Sequence, residues 1–338
     1  MSEVNSFKVN SLNTFRLIAA IQVLWGHTMA HLELEKIPVL DDIVMFFSGV
    51  PIFFSLSGFL IWHSIGHSNS YKDYAKKRFW RIYPELWVAV IIEILAIILL
   101  YRDHIDWTML GLFTIGQSTI FQFWTPDFLR GYGCGTPNGA LWTIAILIQY
   151  YFLAFFIYKW LHKRKLLVCG GVIILSIALG WLTPMITNSL PILASKLYGV
   201  TIIPYLWMFL VSALIAEYKD ILLPFIKKYW LFFLVLLLVR RYIIQFDIIV
   251  FVYPFIDTIL LFCFIVGVAY AIPYINLKID ISYGVYIYHM TVVNALIALG
   301  LVGQNWELWF VICVSRFLAW LSTVSIGKFS INKKKSIT

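Results

Sequence analysis

The sequence predicts an all-α, polytopic membrane protein of about ten transmembrane helices, and three observations carry that prediction. Of the 338 residues, 61% are hydrophobic and only 13% are charged, whereas soluble domains are about half apolar and about one quarter charged. The chain contains many apolar runs of about 20 residues each, which is the length that a helix needs to cross a bilayer. Lysines and arginines are concentrated in alternate loops between these runs. Together these features exclude a soluble domain.

Ten apolar runs are predicted to form the spanning helices. They are residues 14–31, 43–64, 82–101, 140–160, 166–187, 199–217, 229–246, 249–271, 281–302 and 306–327. The sequence of these runs shows no internal repeat. We therefore expect a single transmembrane domain, residues 1–338, that ends in a basic tail over residues 328–338.

The net charge of +9 predicts the orientation of this domain. In a membrane protein, an excess of lysine and arginine marks cytoplasmic loops rather than a nucleic-acid partner. If both termini are cytoplasmic, the basic loops 65–81, 159–165, 218–228 and 272–280 and the C-terminal tail all lie on that side. The distribution therefore predicts cytoplasmic N- and C-termini.

An eleventh run, residues 107–124, is long enough to span a bilayer but is interrupted by Gly111, Gly116 and Gln117. A span here would reverse every later loop and move most of the basic residues outside. The run is therefore predicted to be an interfacial or re-entrant segment of a long outer loop, residues 102–139. That loop ends in GYGCGTPNG, an irregular backbone that can line a cavity but cannot face lipid.

Ionisable side chains inside spans are costly and mark functional sites by default. They are Arg16, His27, Glu93, Asp257, His289 and Arg316. His27 follows Arg16 by eleven positions, so at about 100° per residue the two side chains share one helix stripe, about 16 Å apart. Such a stripe lines a path through the membrane, or else Arg16 snorkels and His27 bonds a neighbouring helix; the residues alone leave both interpretations open. We expect His289 to lie nearer the cytoplasmic face than His27.

A second cluster, YKDYAKKRFWRIYPELW, leads into the third span and contains Arg78 and Arg81 on one helical face. Arginine forks bind phosphate groups in a bidentate way. A basic run at the cytoplasmic end of a span is more commonly a membrane anchor, and the residues by themselves favour that interpretation.

Five segments in order resemble the acyltransferase 3 family, the integral-membrane O-acyltransferases that modify bacterial surface glycans. They are SLNTFRLIAAIQVLWGH (11–27), PIFFSLSGFLI (51–61), RFWRIYPELW (78–87), LWTIAILIQYY (141–151) and SYGVYIYH (282–289). The resemblance covers nearly the whole chain. It implies ten helices in the bacterial inner membrane and an acyl-CoA donor, foremost acetyl-CoA, on the cytoplasmic side. It also implies an acceptor hydroxyl on a lipid-linked or surface glycan, such as the O-antigen of lipopolysaccharide.

The resemblance also implies roles for individual residues. His27 and Arg16 become the leading catalytic candidates, with His27 as general base or covalent acyl carrier. The candidates for substrate binding are Arg78, Arg81, Trp142, Gln149, Tyr151, Tyr283 and His289. No metal is expected to take part.

One position departs from the family pattern. Relatives place a glutamate five residues after the tryptophan of LWT, where this chain has Leu147. Glu93 and Asp257 are the buried acids that we consider as replacements. An alternative function is transport or flipping of a lipid-linked glycan, although the sequence pattern gives no sign of repeated halves or paired broken helices. A non-enzymatic scaffold is a third.

Overall fold

The computed structural model describes residues 10–164, 166–244, 253–275, 277 and 279–327. Within these ranges the chain is helical and contains no strand, which confirms the all-α prediction. The described residues form fourteen α-helices, which are joined by loops and short 3₁₀ segments, and a π-helical turn at Thr323–Gly327 follows the last of them. They are α1 (Leu12–His31), α2 (Leu40–Phe46), α3 (Gly49–Gly66), α4 (Tyr71–Leu100), α5 (Trp107–Gln117), α6 (Trp142–Leu161), α7 (Leu166–Ser189), α8 (Ile192–Gly199), α9 (Leu206–Glu217), α10 (Lys219–Lys228), α11 (Trp230–Tyr242), α12 (Tyr253–Ala271), α13 (Ser282–Ala298) and α14 (Trp306–Ser322).

Six helical segments of the described chain are long and apolar enough to cross a membrane, and two bent pairs raise that number to eight. The bent pairs are α8 with α9, at 45°, and α10 with α11, at 69°. Helices α1 and α13 coincide with predicted spans but lie outside this set: α13 has only 17 residues, and α1 carries Arg16, Gln22 and His27. The protein is multi-pass, and the count of ten remains a prediction.

The segment 107–124 does not form a spanning helix. Its helix, α5, has 11 residues, which at about 1.5 Å each reach only about half of the hydrocarbon thickness. Beyond α5 the chain turns, and the Gln117 side chain donates to Gln122 O at 3.4 Å and to Trp124 O at 3.1 Å. A side-chain amide thus satisfies backbone carbonyls that a continuous helix would have paired itself.

Some positions used in the charge argument lie outside the described residues. They are Lys165, Lys278 and the basic tail at 328–338. The orientation of the termini remains a prediction.

The chain divides into two compact units, each assembled from separate stretches of sequence. Unit 1 takes its described residues from Met1–Arg16, Val50–Tyr71 and Gln149–Lys278. Unit 2 takes them from Leu17–Gly49, Lys72–Ile148 and Ile279–Thr338. Helix α1 therefore begins in unit 1 and continues into unit 2. The single domain over 1–338 stays a prediction.

Unit 1 contains the SGFL segment, and its glycine is explained by a close helix crossing. A Cβ added to Gly58 on α3 would lie 2.4 Å from Phe209 O and 2.1 Å from Ser212 Oγ on α9. Small residues let transmembrane helices approach to this distance. By contrast, a Cβ at Gly171 on α7 would meet nothing within 4 Å.

We therefore expect Gly58→Ala to destabilise the protein by roughly 1–3 kcal/mol, the usual cost of overpacking. The matched substitution Gly171→Ala should be neutral or slightly stabilising, because alanine is the better helix former and the space is open. Thermal unfolding of the two variants in detergent measures the difference. Equal stability of the two variants would show that α3 and α9 do not pack so closely.

Candidate functional site

The central feature of unit 2 is a pair of histidines from two helices far apart in the sequence. His27 Nδ1 on α1 lies 2.9 Å from His289 Nε2 on α13, and the rings stack with centroids 5.2 Å apart at 22°. His289 is fully buried, and His27 is partly buried. A third histidine, His31, lies one turn further along α1, with its ring centroid 5.9 Å from that of His27. The structure thus brings together two of the residues singled out in the sequence.

The hydrogen bonds of the pair determine which nitrogens carry protons. His289 Nδ1 lies 2.7 Å from Tyr286 O, and since a carbonyl only accepts, Nδ1 must be the donor. In a neutral His289, Nε2 is then an acceptor, so His27 Nδ1 donates to it. Neutral His27 therefore carries its free lone pair on Nε2. This tautomer is the one that can take a proton or attack an electrophile.

The expected depth of His289 was wrong. A separation of 2.9 Å between ring nitrogens places His289 level with His27 rather than nearer the cytoplasmic face. The helical repeat tells which residues share a face, but it says nothing about how far one helix is shifted along its axis relative to another.

Residues 133–143 run from an irregular loop through a 3₁₀ turn into the first two residues of α6. They are fastened along α13 on either side of His289, and we call this segment the strap. Beyond His289, Asn294 accepts from Cys134 N at 2.7 Å and donates to Thr136 O and Pro137 O at 3.1 and 2.8 Å. Before His289, Tyr286 Oη donates to Ala140 O at 2.9 Å and lies 2.7 Å from the Thr143 hydroxyl. The strap includes the end of the loop predicted to line a cavity.

The N-terminus of α13 is attached to α4 by an ion pair. Arg81 donates through an Nη to Asp280 at 2.8 Å, and the other carboxylate oxygen of Asp280 accepts from Ser282 N at 3.1 Å and Ser282 Oγ at 2.5 Å. Tyr283 Oη donates to Ile82 O at 3.2 Å. Arg81 and Tyr283, which were predicted to bind substrate, thus also join α4 to the helix that carries His289.

Comparison with known proteins then decides the class of protein. Residues 9–324 match the acyltransferase domain that defines the acyltransferase 3 family. The chain belongs to the acyltransferase 3 family. It is therefore a multi-pass membrane acyltransferase, and family membership favours the enzyme over the transporter and the scaffold.

Two curated relatives of this acyltransferase are similar in sequence. Nodulation protein 10 of Rhizobium leguminosarum bv. viciae is 28% identical over 334 residues, covering 92% of this chain and 89% of the relative. The peptidoglycan O-acetyltransferase OatA of Listeria monocytogenes serovar 1/2a is 27% identical over 136 residues, covering 36% of this chain and 22% of the relative. No solved structure matches the chain.

The other catalytic candidate, Arg16, and the remaining substrate-binding candidates of the acyltransferase occupy different places. Arg78 lies over the Tyr74 ring, with 5.6 Å between the guanidinium carbon and the ring centroid. Trp142 begins α6. Arg16 lies in the part of α1 that belongs to unit 1, and Tyr151 lies in the unit 1 part of α6. The roles assigned to these side chains stay predictions.

Gln149 of the acyltransferase uses both ends of its amide to hold a turn. Its Nε2 donates to Val200 O at 2.8 Å, and its Oε1 accepts from Ile202 N at 2.9 Å. These bonds, all within unit 1, give Gln149 a structural task that the apolar run around it did not reveal.

Two acids were considered as replacements for the family glutamate that this chain lacks at position 147, and their surroundings differ sharply. Asp257 belongs to unit 1 and forms ion pairs with Arg240 and Arg241, so its carboxylate is already paired. Glu93 belongs to unit 2, is 1% exposed, and has no hydrogen-bond partner at either carboxyl oxygen. Of the two, only Glu93 has a carboxyl group that is not engaged.

Sequence reasoning missed two further acids of unit 2, Glu307 and Glu85, each with an inaccessible carboxyl oxygen. Glu307 is inaccessible, and its Oε2 accepts from Gln304 N at 3.3 Å at the start of α14. Glu85 Oε1 lies 2.7 Å from where a Cβ of Gly284 would be. The spacing of eight between Glu85 and Glu93 places them on one face of α4, and this signal was available in the sequence. Among the described residues, no group of three His, Cys, Asp or Glu side chains could hold a metal ion.

Proposed function

We propose that the protein transfers an acyl group, foremost acetyl, from acyl-CoA to a hydroxyl of a glycan, with His27 as general base. The observation that carries this proposal is the tautomer of the histidine pair, which leaves His27 Nε2 as a free acceptor. A neutral imidazole with a free ring nitrogen can accept a proton and return it, which is what a general base must do.

The reaction follows from this arrangement. His27 Nε2 takes the proton of the acceptor hydroxyl while the oxygen attacks the thioester carbonyl. The carbon–sulfur bond then breaks, and the CoA thiolate leaves with the proton that His27 gives back. Throughout, the bond from His27 Nδ1 to His289 Nε2 keeps the ring oriented. In the alternative path Nε2 attacks the thioester carbonyl and the carbon–sulfur bond breaks, which releases the CoA thiolate. The acyl group then passes from Nε2 to the hydroxyl oxygen, and the hydroxyl proton ends on the CoA thiolate.

Charge and the relatives support the choice of substrates and side. The basic loops support a donor on the cytoplasmic side of a bacterial inner membrane, with both termini cytoplasmic. The guanidinium groups of Arg78 and Arg81, both in unit 2, would suit the phosphates of CoA. The name of OatA specifies acetyl transfer to peptidoglycan, which supports an acetyl donor and a glycan acceptor. O-antigen is one such glycan.

The proposed function is tested with purified full-length protein and radiolabelled acetyl-CoA. We expect label to appear in an oligosaccharide from a panel of neutral hexose and N-acetylhexosamine tetrasaccharides, with one CoA released per acetyl transferred. Translocation of a glycan without release of CoA would instead establish the transporter function.

The Arg81–Asp280 pair gives a prediction that separates two roles for Arg81. If Arg81 acts by holding α13, Arg81→Ala and Asp280→Asn should lower kcat by a similar factor, about tenfold, since each removes one charge-assisted hydrogen bond. We expect this result, with donor KM changing little. Steady-state kinetics with varied acetyl-CoA measure both constants.

The contrary outcome has a clear signature. A rise in donor KM confined to Arg81→Ala, with Asp280→Asn unaffected, would mean that Arg81 binds the CoA phosphates directly. Restoration of activity by Arg81→Lys would show that a single positive charge suffices and that the bidentate fork is not needed.

A further inference from the structure

The strap contains one buried polar atom that the protein leaves without a partner. Asn138 is 2% exposed, and its Nδ2 donates to Ile287 O on α13 at 2.8 Å. Because a carbonyl only accepts, the amide nitrogen must face Ile287, and the amide oxygen must face away from it. That oxygen, Asn138 Oδ1, is inaccessible and has no hydrogen-bond partner.

A buried acceptor without a partner is rare in native proteins, because the desolvation of the group is not repaid. An acceptor such as Asn138 Oδ1 could be satisfied by a hydrogen-bond donor on a bound molecule. A hydroxyl group meets that requirement without bringing a charge into the membrane interior.

Asn138 binds α13 one residue away from the carbonyl that His289 binds. Tyr286 O accepts from His289 Nδ1, and the next carbonyl along α13, Ile287 O, accepts from Asn138 Nδ2. The two side chains are thus bound to consecutive carbonyls of one helix and are neighbours on its surface.

The strap is held so that Asn138 has little freedom to move. Asn294, fully buried, binds the backbone of the strap at Cys134, Thr136 and Pro137. Gly133 has φ of +55°, and a Cβ there would lie 1.9 Å from Asn294 Oδ1, so only glycine fits this approach.

We propose that Asn138 is a substrate-binding residue whose Oδ1 accepts a hydrogen bond from a hydroxyl of the acceptor glycan, and that Asn294 is the residue that positions it. This inference rests on the proposed function, because the hydroxyl is that of the acyl acceptor. The strap includes the end of the loop, residues 102–139, that the charge distribution predicts to lie on the outer side, where a surface glycan arrives. Asn138 holds the sugar next to the histidine that deprotonates it.

The test uses the full-length protein, acetyl-CoA and the tetrasaccharide of the panel that accepts acetyl best. We expect Asn138→Ala to raise the KM for the tetrasaccharide about tenfold, the effect of one lost hydrogen bond, while the KM for acetyl-CoA stays unchanged. Asn294→Ala should show the same selectivity for the acceptor side. Asn188→Ala, at an exposed position of α7, is the matched control and should behave like the wild type.

Monodeoxy versions of the tetrasaccharide identify the bond itself. With the wild type, one deoxy acceptor should lose about tenfold in kcat/KM, and with Asn138→Ala the same acceptor should lose nothing further. Asn138→Ser, which is too short to reach both partners, serves in the same cycle if Asn138→Ala does not accumulate. An additional full loss in the Asn138 variant, or an unchanged acceptor KM, overturns the assignment of Asn138 alone. A wild-type protein that transfers no acetyl overturns the proposed function, and the assignment falls with it.

Discussion

His27→Gln should reduce acyl transfer by roughly 10²–10⁴-fold, the contribution of a positioned acid–base group, while the protein stays inserted and abundant. Glutamine can still donate a hydrogen bond to His289 Nε2, so the contact between α1 and α13 is kept. It cannot accept a proton at neutral pH, so only the chemistry is removed. The measurement is kcat per mole of purified protein with radiolabelled acetyl-CoA.

The matched control is His67→Gln, because His67 is exposed and its ring bonds the carbonyl of His63, four residues earlier, and contacts the His63 ring. That variant should turn over like the wild type. Ordinary turnover in His27→Gln would mean that His27 is a packing residue and that the general-base mechanism is wrong. Lower abundance with normal activity per molecule would point to a structural role as well.

His289→Phe should lower kcat by about 10- to 100-fold, the range found when a partner that orients a functional histidine is removed. Phenylalanine fills a similar volume but offers no acceptor to His27 Nδ1, so the His27 ring loses the bond that determines its orientation and tautomer. Abundance and the KM for acetyl-CoA should change little. Kinetics with both substrates varied separate these quantities.

His289→Gln completes this prediction, since the amide oxygen of glutamine can accept from His27 Nδ1. We expect it to restore part of the activity that His289→Phe loses. Equal activity of the two variants would show that the interaction between the histidines does not support turnover, and that His289 merely fills space.

The sequence predicted the helices well because the signal for them is local. Apolar runs of spanning length require no knowledge of neighbours, and each of the ten predicted runs coincides with helix in the described residues. The same local reasoning identified 107–124 as a segment too interrupted to span, and α5 is indeed short. The number of spans differs from the number of predicted runs for two reasons. Helix α1 contains polar residues, and helix α13 has only 17 residues.

Candidate residues were predictable as types but not as contacts. Ionisable groups in apolar runs stand out in any sequence, so His27, His289, Glu93 and Asp257 were found. Their partners were not: Asp257 is bound by two arginines, and Gln149 holds a turn about fifty residues away. An apolar run gives no indication of which polar group will face which across a helix interface.

By itself the sequence determined that this protein is an all-α membrane protein of the acyltransferase 3 type, with His27 on its first helix. The tertiary structure alone decided that His27 meets His289, 262 positions away, that Arg81 meets Asp280, 199 positions away, and that Asn294 binds a strap 160 positions away. The physical reason is that helical periodicity specifies the face of each residue, whereas the pairing of faces depends on the axial shift and packing of separate helices. The proton-accepting nitrogen of His27 is therefore a property of the folded pair and not of either segment.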